Sequence, residues 1–304
     1  IAIAAITCDD METSLFERCL RQAADSAKFK EAIPDPGRIN LIGFQSGPAR
    51  AELVGLLEAM GIGVNECLLP GWSLRSLENL RAAGIQVYCP RADYHEFDAR
   101  FFQGHGLRSI APEAPYGLSG TREWLEAIEA AVGRQGQFNQ ALEARYNEVC
   151  QTWAGVRESA SHWRLGFVVA EAKLSTLEDG SSLDGLRLLP VVTEMGFGID
   201  IMVWSPVGAP HRGELSGCPP GISLRRFSSA EELGELLSSG DCTAVYSDIG
   251  PDQRLLQNGL SRFSRFCFEP GFDGALRTAQ RLLRICRLPF HRRYAKYWRT
   301  RGPQ

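Results

Sequence analysis

The stretch "GIQVYCPRADYHEF", residues 84–97, sets a thiol, a carboxylate and an imidazole close together. Its apolar run, Ile85 to Tyr88, reads as a buried strand that stops at Cys89-Pro90. The polar run with Asp93 and His95 then reads as the start of a helix. A thiol at such a junction can be presented to a cleft as a metal ligand, helped by nearby helix amides that favour the thiolate. It can equally be a small packed side chain, since free Cys is among the most buried residue types. Both readings stand open for Cys89. Cys8, in "AITCDDME", is a second candidate ligand, at a strand end followed by Asp9, Asp10 and Glu12. Glu171 and Lys173, in "VAEAKLS", end another apolar run and form a charged pair suited to an anionic ligand such as a propionate. The competing reading is an exposed salt bridge worth well under ~1 kcal/mol. His211, with Arg212 and Cys218, lies in the long Gly- and Pro-rich loop "SPVGAPHRGELSGCPPG".

The nine cysteines contain no CxxC pair, and the five histidines no HxxxH or HExxH pair. A zinc site by spacing is therefore unsupported, and no Ser-His-Asp set is recognisable. The chain has 304 residues, 44% hydrophobic and 23% charged, with a formal charge of −3. That composition fits about two domains and gives no nucleic-acid footprint for the whole chain. No apolar run approaches the roughly 20 residues that cross a bilayer. With no signal peptide visible, a cytoplasmic protein is expected, with neither nucleic acid nor membrane as a partner. The chain opens inside an apolar run, "IAIAAIT", which reads as a core strand of a preceding domain.

The elements that must position these residues are repeated. "LLEAMGIGVNECLLP" (56–70) is echoed by "VVTEMGFGIDIMVWSP" (191–206): a helix ends in Met-Gly and a strand follows. Gly61 and Gly196 suit the left-handed residue that closes a helix. "SLRSLENLRAAGIQVYCP" (73–90) is echoed by "SSAEELGELLSSGDCTAVYSD" (228–248), and each copy is preceded by a strand, "RINLIGF" and "WRLGFVVA". Strands alternating with helices mean parallel βαβ units. The fold class is therefore α/β, with tandem Rossmann-like domains whose parallel sheets surround a central cleft. Residues 1–37 read as the remnant of an N-terminal domain, 38–133 as a middle domain, 134–160 as a connecting helix, 161–287 as a C-terminal domain and 288–304 as a basic tail. Neither domain carries GxGxxG or a Walker A pattern. Ligands of parallel α/β sheets bind beyond the carboxyl ends of the strands. That rule selects Ser46 and Gly47 in "GFQSGPAR" and Asp248 in "YSDIGPDQ" as binding candidates beside Glu171, Lys173 and His211.

At this point the chain resembles the component 1 proteins of nitrogenase and nitrogenase-like reductases. The likeness is carried by "INLIGF" with "ELVGLLEAMGIGVNECLLPGWSLRSLENL", by "APYGLSGTREWLEAIEAAVG" (114–133) and by "FEPGFDGALRTAQRLL" (268–283). The middle segment is similar to the family's P-x-G-x-x-x-T-x-x-W/F-L stretch and is the most specific of the three. The family includes nitrogenase, the scaffold pair that assembles its cofactor, the dark protochlorophyllide and chlorophyllide reductases, and the nickel-sirohydrochlorin reductive cyclase.

The resemblance implies a subunit of a redox complex. It would take electrons from an ATP-dependent iron–sulfur reductase, pair with a homologous second subunit or itself, and reduce a bound substrate or help assemble a cofactor. It also implies an iron–sulfur cluster whose main ligands lie upstream of this chain, with a tetrapyrrole or metal cluster as a further ligand. Cys89 follows the strand where nitrogenase's catalytic subunit carries a cluster-ligating cysteine. Where that subunit has a histidine before the late glycine-rich turn, "RFSRFCFEPGFDG" offers Cys267 and Glu269. That departure fits a tetrapyrrole-binding or scaffold role better than dinitrogen reduction. A reading from another class is a non-catalytic two-domain protein that binds a metal chelate or tetrapyrrole.

Overall fold

The computed structural model describes residues 18–19, 21–26, 29, 31–90, 101–133, 140–180, 185–206, 221–247, 255, 257–288 and 293–295. They fall into two compact units, one comprising Ile1–Glu148 with Pro270–Asp273, the other Val149–Glu269 with Gly274–Gln304. The division falls inside a long helix, Gln140–Ala160, which occupies most of the span expected as a connecting helix. No helix among the described residues is long and apolar enough to cross a membrane.

The first unit is built on four parallel strands, β1 (Asp35–Ile42), β2 (Gly63–Leu68), β3 (Ala83–Tyr88) and β4 (Ser109–Ile110), in the order β2-β1-β3-β4. Helix α1 (Pro48–Ala59) connects β1 to β2, α2 (Leu74–Glu78) lies between β2 and β3, α3 (Gly117–Val132) follows β4, and α4 is Gln140–Ala160. The second unit carries β5 (Arg164–Ala170), α5 (Thr176–Asp179), α6 (Leu188–Glu194), β6 (Gly198–Trp204), β7 (Ile222–Phe227), α7 (Ala230–Ser239), β8 (Cys242–Ser247), β9 (Ser261–Phe263) and α8 (Phe272–Arg287). Its five parallel strands run β7-β6-β5-β8-β9.

The repeat read from the sequence is present strand for strand. β2-β1-β3-β4 matches β6-β5-β8-β9, and β7 is an addition on one edge. Gly61 and Gly196 both take positive φ, +72° and +89°, and their N–H groups return to Glu58 and Thr193 carbonyls at 2.9 Å. The equivalent helices α2 and α7 both start on serine: Ser73 Oγ accepts from Ser76 N–H, and Ser229 Oγ accepts from Glu232 N–H. Such caps satisfy amides that have no intrahelical partner, each worth about 1 kcal/mol.

Apolar runs on both faces of each sheet supply the cores, as buried parallel sheets require. Ile39, Leu41, Ile85 and Val87 are at most 2% exposed in the first unit; Val168, Met202, Phe227, Leu233, Leu237 and Val245 cluster in the second. Two polar locks interrupt them. Asn40 on β1 and Gln86 on β3, both fully buried, are partners in register, and the Asn40 amide donates to Gln86 Oε1 and to the Leu80 carbonyl, both at 2.7 Å. Asn65 on β2 donates to Asn40 Oδ1 at 2.9 Å and to the Asn79 carbonyl at 3.0 Å. In the second unit the Arg164 guanidinium forks onto Asp200, with Nε to Oδ2 at 2.9 Å and Nη2 to Oδ1 at 2.8 Å, and also reaches the Ile199 carbonyl at 2.9 Å. Bidentate charge-assisted pairs of this kind fix orientation as well as distance.

Candidate functional site

In a doubly wound sheet the binding crevice opens where the strand order reverses, outside the carboxyl ends of the two central strands. In the first unit those strands are β1 and β3, and in the second β5 and β8.

At the first switch point β1 ends at Ile42, and the Gly43 N–H crosses to the Leu68 carbonyl at 2.9 Å. The Cys89 N–H bonds the Ile42 carbonyl at 2.9 Å, so the β3 ladder runs one residue past Tyr88 and sets Cys89 against the end of β1. The structure therefore brings Cys89 and the 43–47 loop to adjacent strand ends. Ser46 and Gly47 form the exposed rim, and Gly47 leads into α1, whose first turn holds Pro48 and no acidic residue. Arg50 in that turn donates to the Phe44 carbonyl at 3.3 Å. Cys89, by contrast, is buried, at 4% exposure. On the same rim, Phe44 packs edge-on against Trp124 of α3 at 5.7 Å, and the buried Trp124 Nε1 has no hydrogen-bond acceptor among the described residues. Burial pushes the Cys67 thiol on β2 up, with the Arg50 charge pulling the other way.

At the second switch point β5 ends at Ala170, and Glu171 to Lys173 form a single turn. Lys173 is exposed. The Glu171 carboxylate is buried and pairs with Arg226 of β7 at 3.5 Å. Arg226 lies two strands away, which is why sequence spacing did not find it. His211 and Asp248 lie outside the described residues, as do Cys8, Asp93, His95 and Cys218.

The late turn before α8 is held by charge. Glu269 accepts from Arg277 Nε at 2.7 Å and from Arg281 Nη2 at 2.5 Å, and its N–H bonds Thr278 Oγ1 at 2.9 Å. Arg281 also donates to the Cys267 carbonyl at 2.6 Å. Burial alone would raise the Glu269 carboxyl, but the hydrogen bonds from Arg281 and Arg277 outweigh it and hold the group below its usual value. A depressed carboxylate stabilises the fold above its unfolded pKa, and that contribution is lost as pH falls through the lower folded value. Stability is thus expected to decline on acidification below about pH 4.3, the ordinary Glu value, and to decline less steeply in Glu269→Gln. Urea midpoints measured across that range check it; equal slopes in the two proteins would remove Glu269 from the account.

The next four residues, Pro270 to Asp273, pack within the first unit. Pro270 bridges Tyr116, the Gly271 N–H bonds the Pro115 carbonyl at 2.9 Å, and the Asp273 N–H bonds Glu52 Oε1 of α1 at 2.7 Å. Asp273 also pairs with Arg145, and Phe272 meets Tyr146 edge-on at 5.6 Å. Glu52 carried no signal by type or spacing in the sequence.

The described residues do not assemble a metal site. No group of three or more His, Cys, Asp or Glu among them is placed to hold an ion. Glu269, next to the position where the resemblance led to a ligand, is occupied by two arginines. Cys242 is a structural thiol: burial, with the Asp200 charge adding, pushes it up to about 11. None of the described cysteines is in a disulfide.

Residues 8–174, more than half of the chain, match the family model described as nitrogenase component 1 type oxidoreductase. No curated protein sequence matches at a significant level. Among solved structures the chain is similar to nitrogenase Cp1 at pH 5, with 11% identity and a TM-score of 0.60 over 96% of this chain and 63% of that one. Nitrogenase Cp1 at pH 6.5 aligns with the same identity and TM-score over 96% and 65%. The chain thus spans under two thirds of the length of the nitrogenase chains it matches. A periplasmic metal-binding protein from Candidatus Liberibacter asiaticus aligns at 9% identity over 82% of this chain and 99% of that one, with a TM-score of 0.45, too loose to argue from.

Proposed function

The chain belongs to the nitrogenase component 1 type oxidoreductase family, and from that premise we propose that it is one subunit of a nitrogenase-like redox complex. It receives electrons from an ATP-dependent iron–sulfur reductase and works with a homologous second subunit or a second copy of itself. It binds the substrate, or a cofactor under assembly, at the switch-point loops. The observation that carries this proposal is that the stretch matching the family, residues 8–174, contains the whole first sheet and its switch point. The missing phosphate-binding loop agrees with it, because in such a complex ATP hydrolysis belongs to the reductase. Ser46 and Gly47, on the rim of the first unit's switch point, and Glu171 and Lys173, at the second's, are each candidate contacts for a bound molecule; His211 and Asp248 are candidates from the sequence alone. Cys89 and Cys8 are the thiols to test as ligands.

A second reading, a scaffold or a tetrapyrrole- or chelate-binding subunit without redox chemistry of its own, is favoured by one observation. Cys89 is buried and Glu269 is already neutralised by Arg277 and Arg281, so neither is a ready ligand. Iron and acid-labile sulfide in anaerobically purified protein distinguish the two. Stoichiometric iron and sulfide that fall in Cys89→Ala are expected if Cys89 is a ligand. Iron that survives in Cys89→Ala makes Cys89 a packing residue. No iron at all overturns the electron-transfer proposal and leaves the binding role.

A further inference from the structure

At the second switch point the sequence nominates Glu171 and Lys173. The Glu171 side chain is only 9% exposed, and both of its carboxylate oxygens are out of contact with solvent. A ligand therefore does not meet that carboxylate directly. What the carboxylate does meet is Arg226, whose Nε lies 3.5 Å from Oε1. Register shows how far that contact reaches. Val169 on β5 pairs with Val203 on β6, and Val203 with Arg226 on β7, while Glu171 lies two residues beyond Val169. Neighbouring strands stand about 4.8 Å apart, so Arg226 must pass over the end of β6 to touch Glu171. Its charged head is thereby carried from the edge strand to the end of β5, which with β8 borders the crevice. Unlike Glu171, the Arg226 side chain is 35% exposed.

We infer that Arg226 is the ligand contact at this switch point and that Glu171 is the positioning residue that aims it. The class of ligand follows from the guanidinium. Its planar fork matches a carboxylate, and its five N–H donors allow it to hold a second carboxylate beside the first. Lys173, exposed at the end of the turn that Glu171 opens, leaves the three side chains with a net positive charge. A ligand that ends in a carboxylate gains from both features. A neutral amide of the same shape gains from neither.

This rests on the proposed binding role of the switch-point loops and is independent of the redox role, since fragment binding and iron content are separate readouts. The test is fragment binding to the full chain carrying 5-fluorotryptophan, read by fluorine NMR at Trp204, the last residue of β6 and 43% exposed. Trp204→Phe assigns that resonance. The probes are benzoate and benzamide, which share a shape and differ in charge. Benzoate is expected to shift the Trp204 resonance saturably, with a Kd at least ~10-fold below that of benzamide, because hydrogen bonds to an ionised pair are the stronger ones. Arg226→Met should bring benzoate to the benzamide level. Arg226→Lys should fall between, since lysine keeps the charge without the fork. Glu171→Gln separates aiming from charge. Removing a negative charge alone would tighten an anion, whereas losing the residue that aims Arg226 weakens it, and weakening is the expected result. Unchanged resonances from the other five tryptophans keep misfolding out of the comparison. Equal binding of the two probes overturns the inference, as does the absence of any shift at Trp204. Benzoate binding that survives Arg226→Met, or that tightens in Glu171→Gln, overturns it as well.

Discussion

Gly271→Ala is expected to lower the stability of the fold by about 3 kcal/mol, the sum of two costs that a Cβ brings at this position. The first is conformational. Gly271 holds φ at +95°, a region that L side chains rarely adopt, at a cost of roughly 1–3 kcal/mol. The second is steric. A Cβ at 271 would lie 2.7 Å from the carboxyl carbon and Oε1 of Glu52 and 2.8 Å from Oε2. Glu52 cannot withdraw at no cost, because Oε1 accepts the Asp273 N–H at 2.7 Å in the opening turn of α8. That amide is one of those a helix leaves unsatisfied at its start, and a carboxylate there also meets the positive end of the helix dipole. Overpacking of this kind costs roughly 1–3 kcal/mol. Urea unfolding of the purified variant measures the total. Adding Glu52→Ala separates the parts: the clash is relieved while the backbone cost remains, so the double variant should be more stable than the sum of the two single losses predicts. A loss under about 1 kcal/mol in Gly271→Ala would show that the turn shifts to accept a methyl group, well below the overpacking range.

A second large effect is expected from Asn40→Leu, which keeps the shape of the side chain and removes its hydrogen bonds. Three groups lose a partner at once: Gln86 Oε1, the Leu80 carbonyl and the Asn65 amide. A buried polar group stranded in this way costs about 1–3 kcal/mol. Asn65 keeps the Asn79 carbonyl and Leu80 has a distant alternative in Gln86 Nε2 at 3.5 Å, so the expected total is about 3 kcal/mol rather than the full sum. Gln86→Met in the same background should recover part of the loss, because replacing both partners by apolar groups of like shape leaves fewer orphans. If the double variant is no better than the single one, Asn40 and Gln86 are not energetically coupled. Unfolding midpoints for the four proteins of the cycle decide it.

The backbone of this fold was legible where local and repeated signals coincide. Met60-Gly61 and Met195-Gly196 end helices as expected, and Ser73 and Ser229 start the equivalent helices. β7 was missed because "ISLRRF" follows a long Gly- and Pro-rich loop and puts two arginines side by side, which breaks both strand patterns. The strand-end rule selected the 43–47 loop and the loop that begins with Cys89 as candidates, but periodicity does not report how deeply a residue beyond the last paired position sinks. Arg226 and Glu52 were missed because their partners are 55 and 221 residues away in the chain, Glu171 and Asp273. Asn40 and Gln86 left a usable trace: two amides, each two residues before the end of an otherwise apolar central strand. A lone amide there reads as a break in the pattern, whereas a matched pair on adjacent strands reads as a hydrogen bond across the sheet.

The membership of Pro270 to Asp273 in the first unit has a consequence for the birth of the protein. Chains emerge from the ribosome N-terminus first, and domains are generally able to fold as they appear. This one cannot finish its earlier-made half that way. Until residue 273 has been translated, Glu52 lacks the Asp273 amide and the Pro115 carbonyl lacks the Gly271 amide. The stretch between, residues 149–269, has by then been made in full. Completion of the first unit therefore waits for the second to be synthesised, and a chain that stops short of residue 270 lacks both of these contacts.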